Sequence, residues 1–224
     1  MTKFDVNWVV NIDKKTKLKV SGNAIYTGKF SKNEISTIQK LYRSSLDFES
    51  CIKIDNINYK YRRSLNLEWE GKEDKELGII MFNPSFASPD KSDDTARNAV
   101  KFAYHHNYNK ITIVNLFPIR MSDAKIVGKY YNTDLKNLKK DSIDKESIKL
   151  LPEEVVIAWG KLPENIDNIN IILEELKNQL KDKILYQITN EDFQRHLSSS
   201  AINPKGGIES LKLTKLKLKD IYLF

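Results

Sequence analysis

Four short apolar runs that alternate with helical patterns constrain the fold of this chain more than any other feature. The runs lie at 77–82, 111–114, 155–159 and 184–188. The first run is continuously apolar, which is typical of a strand covered on both faces. Amphipathic segments lie between the runs, at 96–103, 135–150 and 169–180. Strands that alternate with helices are joined by right-handed crossovers, so the sequence predicts an α/β fold with a parallel, doubly wound sheet from about Leu77 to Ile188.

The first 70 residues have a different pattern, that of a small α+β element. Its predicted parts are short strands at 4–10 and 18–26, and a hairpin around Asp55 and Asn56. Ser31 and Glu34 have the spacing of a capping box, which predicts that a helix begins there. We expect residues 1–55 to form an N-terminal α+β extension, and residues 56–224 to form an α/β core domain with a basic C-terminal tail.

Composition and charge limit the classes of function that fit. The net charge of +7 and the pI near 9.2 favour an anionic partner, nucleic acid or nucleotide first. The alternative is that lysines spread thinly over every segment reflect only the codon usage of an AT-rich genome. Cys51 is the only cysteine, which excludes an internal disulfide and a cysteine zinc cage. No apolar run approaches the roughly 18 residues of a membrane span, and no signal peptide pattern is present. We expect a soluble cytoplasmic protein with no membrane partner.

Candidate functional residues follow the predicted strands, because ligands of open parallel sheets bind outside the carboxyl ends of the strands. They are Asn83, Pro84 and Ser85 after the first strand, Asn115, Phe117 and Arg120 at the end of the second, Trp159 and Gly160 after the third, and Arg195 and His196 after the fourth. Asp94 stands where the first helix begins. Amides pair with base edges, aromatic rings stack on bases and arginine meets phosphate, so this set predicts a pocket for a nucleobase or nucleotide.

Each candidate also has a structural interpretation. Asn83 before a proline is a common turn former, and Asn115 suits a strand end where it would cap backbone groups. Trp159 fits a hydrophobic core as well as a stacking platform, and a single histidine such as His196 is often structural. Asp93 and Asp94 suit helix caps, or paired carboxylates that bind metal or activate water. Glycine-rich nucleotide loops and the nucleophile elbow of hydrolases are absent, which disfavours a dinucleotide oxidoreductase, a P-loop enzyme and an α/β-hydrolase. We expect no metal site and no cofactor.

The motifs resemble an uncharacterised bacterial and phage family, domain of unknown function 1643. The resemblance rests on Tyr59-Lys60-Tyr61-Arg62-Arg63-Ser64-Leu65, Ile80-Met81-Phe82-Asn83-Pro84-Ser85-Phe86-Ala87, Asp93-Asp94-Thr95-Ala96-Arg97, Val114-Asn115-Leu116-Phe117-Pro118-Ile119-Arg120 and Ala158-Trp159-Gly160. It spans roughly Tyr59 to His196. The ending usual in that family, Thr-Lys-x-Gly-x-Pro-Arg-His-Pro, is degraded in this chain around Arg195 and His196.

The order of the motifs is also similar to that of the uracil-DNA glycosylase superfamily. There a strand ends in an Asn-Pro-type motif that positions the attacking water, and a His-Pro-Ser loop closes the site. The similarity implies a three-layer glycosylase-like fold, with Asn83 as the water-positioning residue and His196, which lacks the following proline, as the histidine at the leaving base. The expected function is nucleobase or nucleotide binding with hydrolysis of an N-glycosidic bond in DNA or a nucleotide. The alternative is a non-catalytic binder of nucleic acid or of a nucleotide signal, serving in phage–host conflict.

Overall fold

The computed structural model describes residues 1–41, 59–71, 73–84, 92–121, 124–132, 143, 145–160, 162, 166, 169–189, 197 and 207–221. These residues form one mixed sheet of eight strands in the order β1-β2-β3-β5-β4-β6-β7-β8. The strands are β1 (Thr2–Asn11), β2 (Lys17–Lys29), β3 (Tyr59–Glu68), β4 (Glu76–Met81), β5 (Lys110–Asn115), β6 (Glu154–Ile157), β7 (Ile184–Thr189) and β8 (Lys212–Lys215). The predicted α/β class is confirmed.

The centre of the sheet is parallel, as the alternation of strands and helices predicts. β4 pairs in parallel with β5 on one side and with β6 on the other, and β7 continues the parallel set beyond β6. In this register Met81 lies opposite Asn115, and Ile80 lies opposite Ile157. After β4 the chain forms β5 on one side of β4, and it then crosses to the other side to form β6 and β7. The carboxyl ends of β4 and β6 therefore flank a topological switch point.

The flanks of the sheet are antiparallel and extend the parallel sheet that was predicted over 77–188. β1, β2 and β3 continue the sheet beyond β5, and β8 pairs with β7 at the other edge. The strands predicted for the N-terminal element therefore lie in the same sheet as the parallel core. Leu65 and Leu67 of β3 explain this placement, since their side chains join the same buried cluster as Ile111 and Ile113 of β5.

Helices cover both faces of the parallel strands. They are α1 (Lys32–Leu41), α2 (Asp94–His105), α3 (Ala124–Asn132), α4 (Lys145–Lys149) and α5 (Ile169–Gln179). The side chains of α2 pack in one buried cluster with Leu77, Ile79 and Met81, and we call this side of the sheet the α2 face. The buried side chains of α1, α3, α4 and α5 pack in a second cluster on the opposite face, against Ile80 and Phe82.

The two predicted helix starts that lie in the described residues are confirmed. The Ser31 amide donates to Glu34 Oε2 at 2.8 Å and the Glu34 amide donates to Ser31 Oγ at 3.2 Å, which completes the capping box. Asp93 caps α2 by accepting a hydrogen bond from the Ala96 amide at 2.7 Å.

Some helices and strands of the structure were not predicted from the sequence, and some predicted elements lie outside the described residues. The sequence patterns did not predict α3, and β8 lies within the predicted basic tail. Most of the predicted hairpin around Asp55 and Asn56 lies outside the described residues, but 59–61 of its predicted second strand belong to β3. Residues 135–142 of the predicted second helical segment also lie outside the described residues. Within the described ranges, no helix is long and apolar enough to cross a membrane.

Candidate functional site

Asn115, the last residue of β5, has a buried side chain without a hydrogen-bond partner. Side chains two positions apart in a strand point to the same face, so the Asn115 amide lies on the α2 face with Ile111 and Ile113. The residue is 1% exposed, and neither Nδ2 nor Oδ1 has a partner in the part of the chain that the structure describes. Such a group costs about 1–3 kcal/mol of stability, and natural proteins contain few of them. An unsatisfied amide at a strand's carboxyl end marks a place where a ligand can supply the missing partners.

Arg62 of β3 adds a buried charge to the same face. It lies opposite Tyr26 in the ladder between β2 and β3, so the two side chains share the α2 face with Asn115. Its amide donates to the Pro118 carbonyl at 2.9 Å, which holds this part of β3 against the segment that follows β5. Arg62 is 4% exposed, and no salt bridge or hydrogen bond of its guanidinium is found among the described residues. Arginine does not lose its proton in proteins, so the charge stays.

Arg120 places its guanidinium against the ring of Tyr26. A bridge between Tyr61 and Ile119 aligns this segment with β3, and the Arg120 amide donates to the Lys60 carbonyl at 3.0 Å. The Arg120 side chain is 1% exposed, donates through Nη1 to the Tyr59 carbonyl at 3.4 Å, and places Cζ 5.4 Å from the centre of the Tyr26 ring. We call Arg62, Asn83, Asn115 and Arg120 the carboxyl edge.

The amide of Asn83 is anchored in the loop after β4. Nδ2 donates to the Met121 carbonyl at 2.6 Å and contacts the Pro84 carbonyl at 3.2 Å, while the Met121 amide donates to the Pro84 carbonyl at 3.1 Å. Both contacts are with carbonyl oxygens, which only accept hydrogen bonds, so the contacting amide atom is the nitrogen. Because the amide is planar, the direction of Oδ1 is then fixed as well. In the described residues, Asn83 Oδ1 has no recorded hydrogen bond. Asn83 thus joins two loops and still presents one acceptor.

Phe117 and Trp159 lie on the opposite face of the sheet. The Phe117 ring centre is 5.3 Å from that of Phe82 and 4.9 Å from that of Tyr131, so Phe117 is part of an aromatic core. Trp159 is 2% exposed and belongs to the same cluster, in phase with Val155 and Ile157. This placement favours the core interpretation for both rings. Gly160, which follows Trp159, has a φ of 73° and turns the chain where a side chain would be strained.

The remaining predicted site residues are only partly described. Asp94 is exposed in the first turn of α2 and forms an ion pair with Arg97. Ser85, Arg195 and His196 lie outside the described residues. Leu197 is described and buried, and its carbonyl accepts a hydrogen bond from Asn98 Nδ2 of α2 at 3.1 Å. The chain after β7 therefore reaches the α2 face.

Lys60 shows how this protein compensates a buried cation elsewhere. Its Nζ forms a salt bridge with Glu34 Oε1 at 2.7 Å, and Tyr130 donates to the same oxygen at 3.2 Å. Burial of the Glu34 carboxyl raises its pKa, but hydrogen bonds from Lys60 and Ser31 outweigh this effect and lower the pKa to about 2. Lys60 is 7% exposed, comparable to Arg62, but of these two cations Lys60 alone has a carboxylate partner within the described part of the chain.

Two open clefts lie away from the carboxyl edge. One, of about 550 Å³, lies at the amino end of the sheet and is lined by Trp69, Tyr104 and Tyr108, and the other, of about 350 Å³, lies over Asn66 and Thr112. Asn66 is fully engaged there: Nδ2 donates to Asn23 Oδ1 at 3.0 Å and Oδ1 accepts from Thr112 at 3.0 Å. Polar groups in this second cleft are satisfied internally, so the carboxyl edge is the stronger candidate. Within the described ranges, no cluster of His, Cys, Asp and Glu could hold a metal ion.

The sequence predicts that Asn83, Asn115 and Arg120 line one pocket, and this prediction did not include Arg62. The available signal was a charged residue in a strand that also places Leu65 and Leu67 on the α2 face. Its burial depends on the bulge between Ile25 and Tyr26, which the sequence pattern does not show.

Comparison with known proteins identifies a family. A family model described as "Protein of unknown function (DUF1643)" matches residues 62–196, which is more than half of the chain. The match includes all four residues of the carboxyl edge. No curated protein and no solved structure matches the chain.

Proposed function

The chain belongs to the DUF1643 family, and from that premise we propose that it binds a nucleobase-containing ligand, such as a nucleotide, at the carboxyl edge. The unsatisfied amide of Asn115 carries this proposal. A side-chain amide offers one donor and one acceptor in a plane, which is the pattern that pairs with the edge of a base. Arg62 and Arg120 supply positive charge on the same face, and the basic net charge of +7 favours anionic ligands.

Ligand binding would remove the desolvation cost of the unpaired Asn115 amide in the free protein. Asn115 is buried with two unpartnered polar atoms. A base edge that pairs with both atoms satisfies them, whereas an analogue without the matching groups leaves them unpaired, so selectivity between bases is expected to be strong. The test is calorimetric titration with the common nucleosides and nucleotides. We expect one base to bind clearly more tightly than the others, and replacement of Asn115 by valine to weaken that binding at least tenfold, about 1.4 kcal/mol. Absence of binding by every base would refute the proposal.

Hydrolysis of an N-glycosidic bond is a second candidate function, and one observation favours it. Asn83 Nδ2 is anchored on the Met121 carbonyl at 2.6 Å, so Oδ1 is held in a fixed direction on the carboxyl edge. An anchored amide oxygen can orient a water molecule under a sugar, although asparagine is a weak general base and slow turnover is expected. The test is incubation with DNA containing uracil, hypoxanthine or hydroxymethyluracil, and with free nucleotides, followed by detection of abasic sites or released base. Binding without base release would assign the protein to the non-catalytic alternative.

A further inference from the structure

The outer edge of β1 is open, because β1 ends the sheet and no strand of the described residues pairs with its outer side. We infer that this edge binds β1 of a second copy of the chain in antiparallel orientation. A two-fold symmetric dimer then forms, in which one sheet continues from a protomer into its partner. The inference is separate from the proposed ligand, since β1 contributes no residue to the carboxyl edge.

β1 lacks the features that usually protect an edge strand. Its ten residues, Thr2–Asn11, pair with β2 without a shift in register, so no bulge bends the strand. It contains no proline and a single lysine, Lys3. β8, at the other edge of the sheet, has only four residues, and a short edge strand is itself protected. A long, regular edge such as that of β1 is a template for pairing with another strand.

A hydrogen bond beside the β1–β2 turn shows which residues of β1 face outward. The Ile12 amide donates to the Thr16 carbonyl at 2.9 Å, and these two residues continue the register in which Asn11 lies opposite Lys17. In an antiparallel ladder, hydrogen-bonded pairs alternate with pairs whose backbone groups point away from each other. The even-numbered residues of β1 therefore bond to β2, and the odd-numbered residues direct their N–H and C=O groups outward. These outward residues are Lys3, Asp5, Asn7, Val9 and Asn11.

Solvent reaches the side of β1 that carries the outward residues. All five are exposed, whereas Val6, Trp8 and Val10 between them belong to the buried cluster of the α2 face. Val9 is 62% exposed and is the apolar member of the five. A strand added at this edge would pair the outward N–H and C=O groups and cover part of Val9 at the same time.

Symmetry selects one register for two copies of β1. The outward residues all face one another only when the two-fold axis passes through Asn7, the middle one of the five. Asn7 then faces Asn7 of the second copy, Lys3 faces Asn11, and Asp5 faces Val9. Five pairs with two hydrogen bonds each give about ten bonds, which is the number in a typical protein interface. Most soluble oligomers are homo-oligomers, and two-fold dimers are the commonest of them.

The charges of the strand fit this register. Lys3 lies opposite an amide and Asp5 lies opposite a valine, so no like charges face each other. The diagonal neighbours of Asp5 are Asn7 and Asn11 of the second copy, and both amides can donate to a carboxylate. Val9 has the methylene stem of Lys3 of the second copy as a diagonal neighbour, which covers apolar surface while the ammonium group stays in solvent. β1 is therefore complementary to a second copy of itself.

The experiment measures the mass of the protein by sedimentation equilibrium and by light scattering after size exclusion. A single pair of strands lies at the lower end of interface areas, so we expect a dimer with a Kd on the order of 1–100 µM, measured from about 1 to 300 µM protein. Hydrogen exchange identifies the surface. At the highest concentration the amides of the five outward residues should exchange more slowly than in dilute protein, whereas those of the even-numbered residues should not change.

The first variant is Val9→Asp, whose new carboxylate lies opposite Asp5 of the second copy on both sides of the axis. We expect the dimer to weaken at least tenfold, and the Tm of the dilute protein to stay within about 2 °C of wild type because the position is exposed. Addition of Asp5→Lys to this variant puts an ammonium group opposite the carboxylate and should restore the dimer. Asn7→Pro removes an outward N–H, leaves the ladder with β2 its bonds, and should also weaken the dimer at least tenfold.

Ile171→Asp is the matched control, since Ile171 of α5 is an apolar residue 43% exposed on a helix away from β1. It should dimerise as the wild type does. The inference is overturned if wild-type protein stays monomeric at the highest concentration, or if Val9→Asp and Asn7→Pro dimerise like the wild type. It is also overturned if Asp5→Lys fails to restore the dimer of Val9→Asp, because the register centred on Asn7 would then be wrong.

Discussion

Replacement of Asn115 by valine should leave the protein more stable while removing its ligand response. Asn115 is 1% exposed, and the structure gives its two amide atoms no partner among the described residues. Each unpaired buried group carries a desolvation cost, about 1–3 kcal/mol for such a site. Valine removes both polar atoms and suits a strand, so we expect the free energy of unfolding to rise by about 1 kcal/mol or more, which corresponds to about 2–4 °C in Tm for a chain of this length.

Asn66→Val provides the matched control, because it makes the same change at another strand position of the same sheet. Asn66 donates to Asn23 Oδ1 at 3.0 Å and accepts from Thr112 at 3.0 Å, and its loss leaves these partners unsatisfied. We expect this variant to lose about 1–2 kcal/mol. Strand propensity changes equally in both variants, so the difference between them isolates the hydrogen bonding.

Urea unfolding of the two variants measures this difference directly. We expect Asn115→Val and Asn66→Val to differ by about 2 kcal/mol or more, with unchanged m-values. A loss of more than about 1 kcal/mol in Asn115→Val would mean that its amide is hydrogen-bonded in the folded protein. The argument that a ligand completes this site would then be refuted, whatever the binding data show.

Three further predictions follow from single contacts. Asn83→Ala removes the 2.6 Å hydrogen bond to the Met121 carbonyl and should lower stability by about 1–2 kcal/mol in chemical unfolding; an unchanged Tm would show that the loops are not tied there. Stability contributed by Glu34, whose pKa is lowered from 4.5 to about 2, should be present above pH 4.5 and lost as the pH falls towards 2, and a Glu34→Gln variant should show a shallower acid transition. Gly22→Ala should cost about 3 kcal/mol in urea unfolding, since its φ is 153° and a Cβ would lie 2.0 Å from the Asn66 carbonyl oxygen; near wild-type stability would contradict this strand spacing.

The parallel core was predictable because its signals are local. Continuous apolar runs, helical stripes and cap residues such as Asp93 each lie within a few residues of the element they define. Strand parity also contains information on the site: Asn115 is in phase with Ile113, whereas Trp159 is in phase with Ile157. Strand parity therefore predicts that Asn115 and Trp159 lie on opposite faces of the sheet.

The antiparallel flanks were not predictable in the same way, because strand pairing there joins distant parts of the chain. Paired residues of β2 and β3 lie far apart in the chain, from Lys29 with Tyr59 to Ser21 with Glu68, and the register shifts at Ile25 and Tyr26. That shift decides which face Arg62 occupies, since a one-residue slip moves every side chain of a strand to the other face. The burial of Arg62 therefore depends on a bulge that has no local sequence signature.

The N-terminal strands thereby take part in the candidate site. The DUF1643 match begins at Arg62, so Tyr26 of β2 lies outside it while the residues of the carboxyl edge lie within it. Yet Tyr26 lies opposite Arg62 in the sheet and contacts the Arg120 guanidinium with its ring. An aromatic face stabilises a guanidinium without neutralising it, so Tyr26 helps to hold the Arg120 side chain in place. β2 thus does more than extend the sheet, since its Tyr26 supplies the ring against which the Arg120 guanidinium lies.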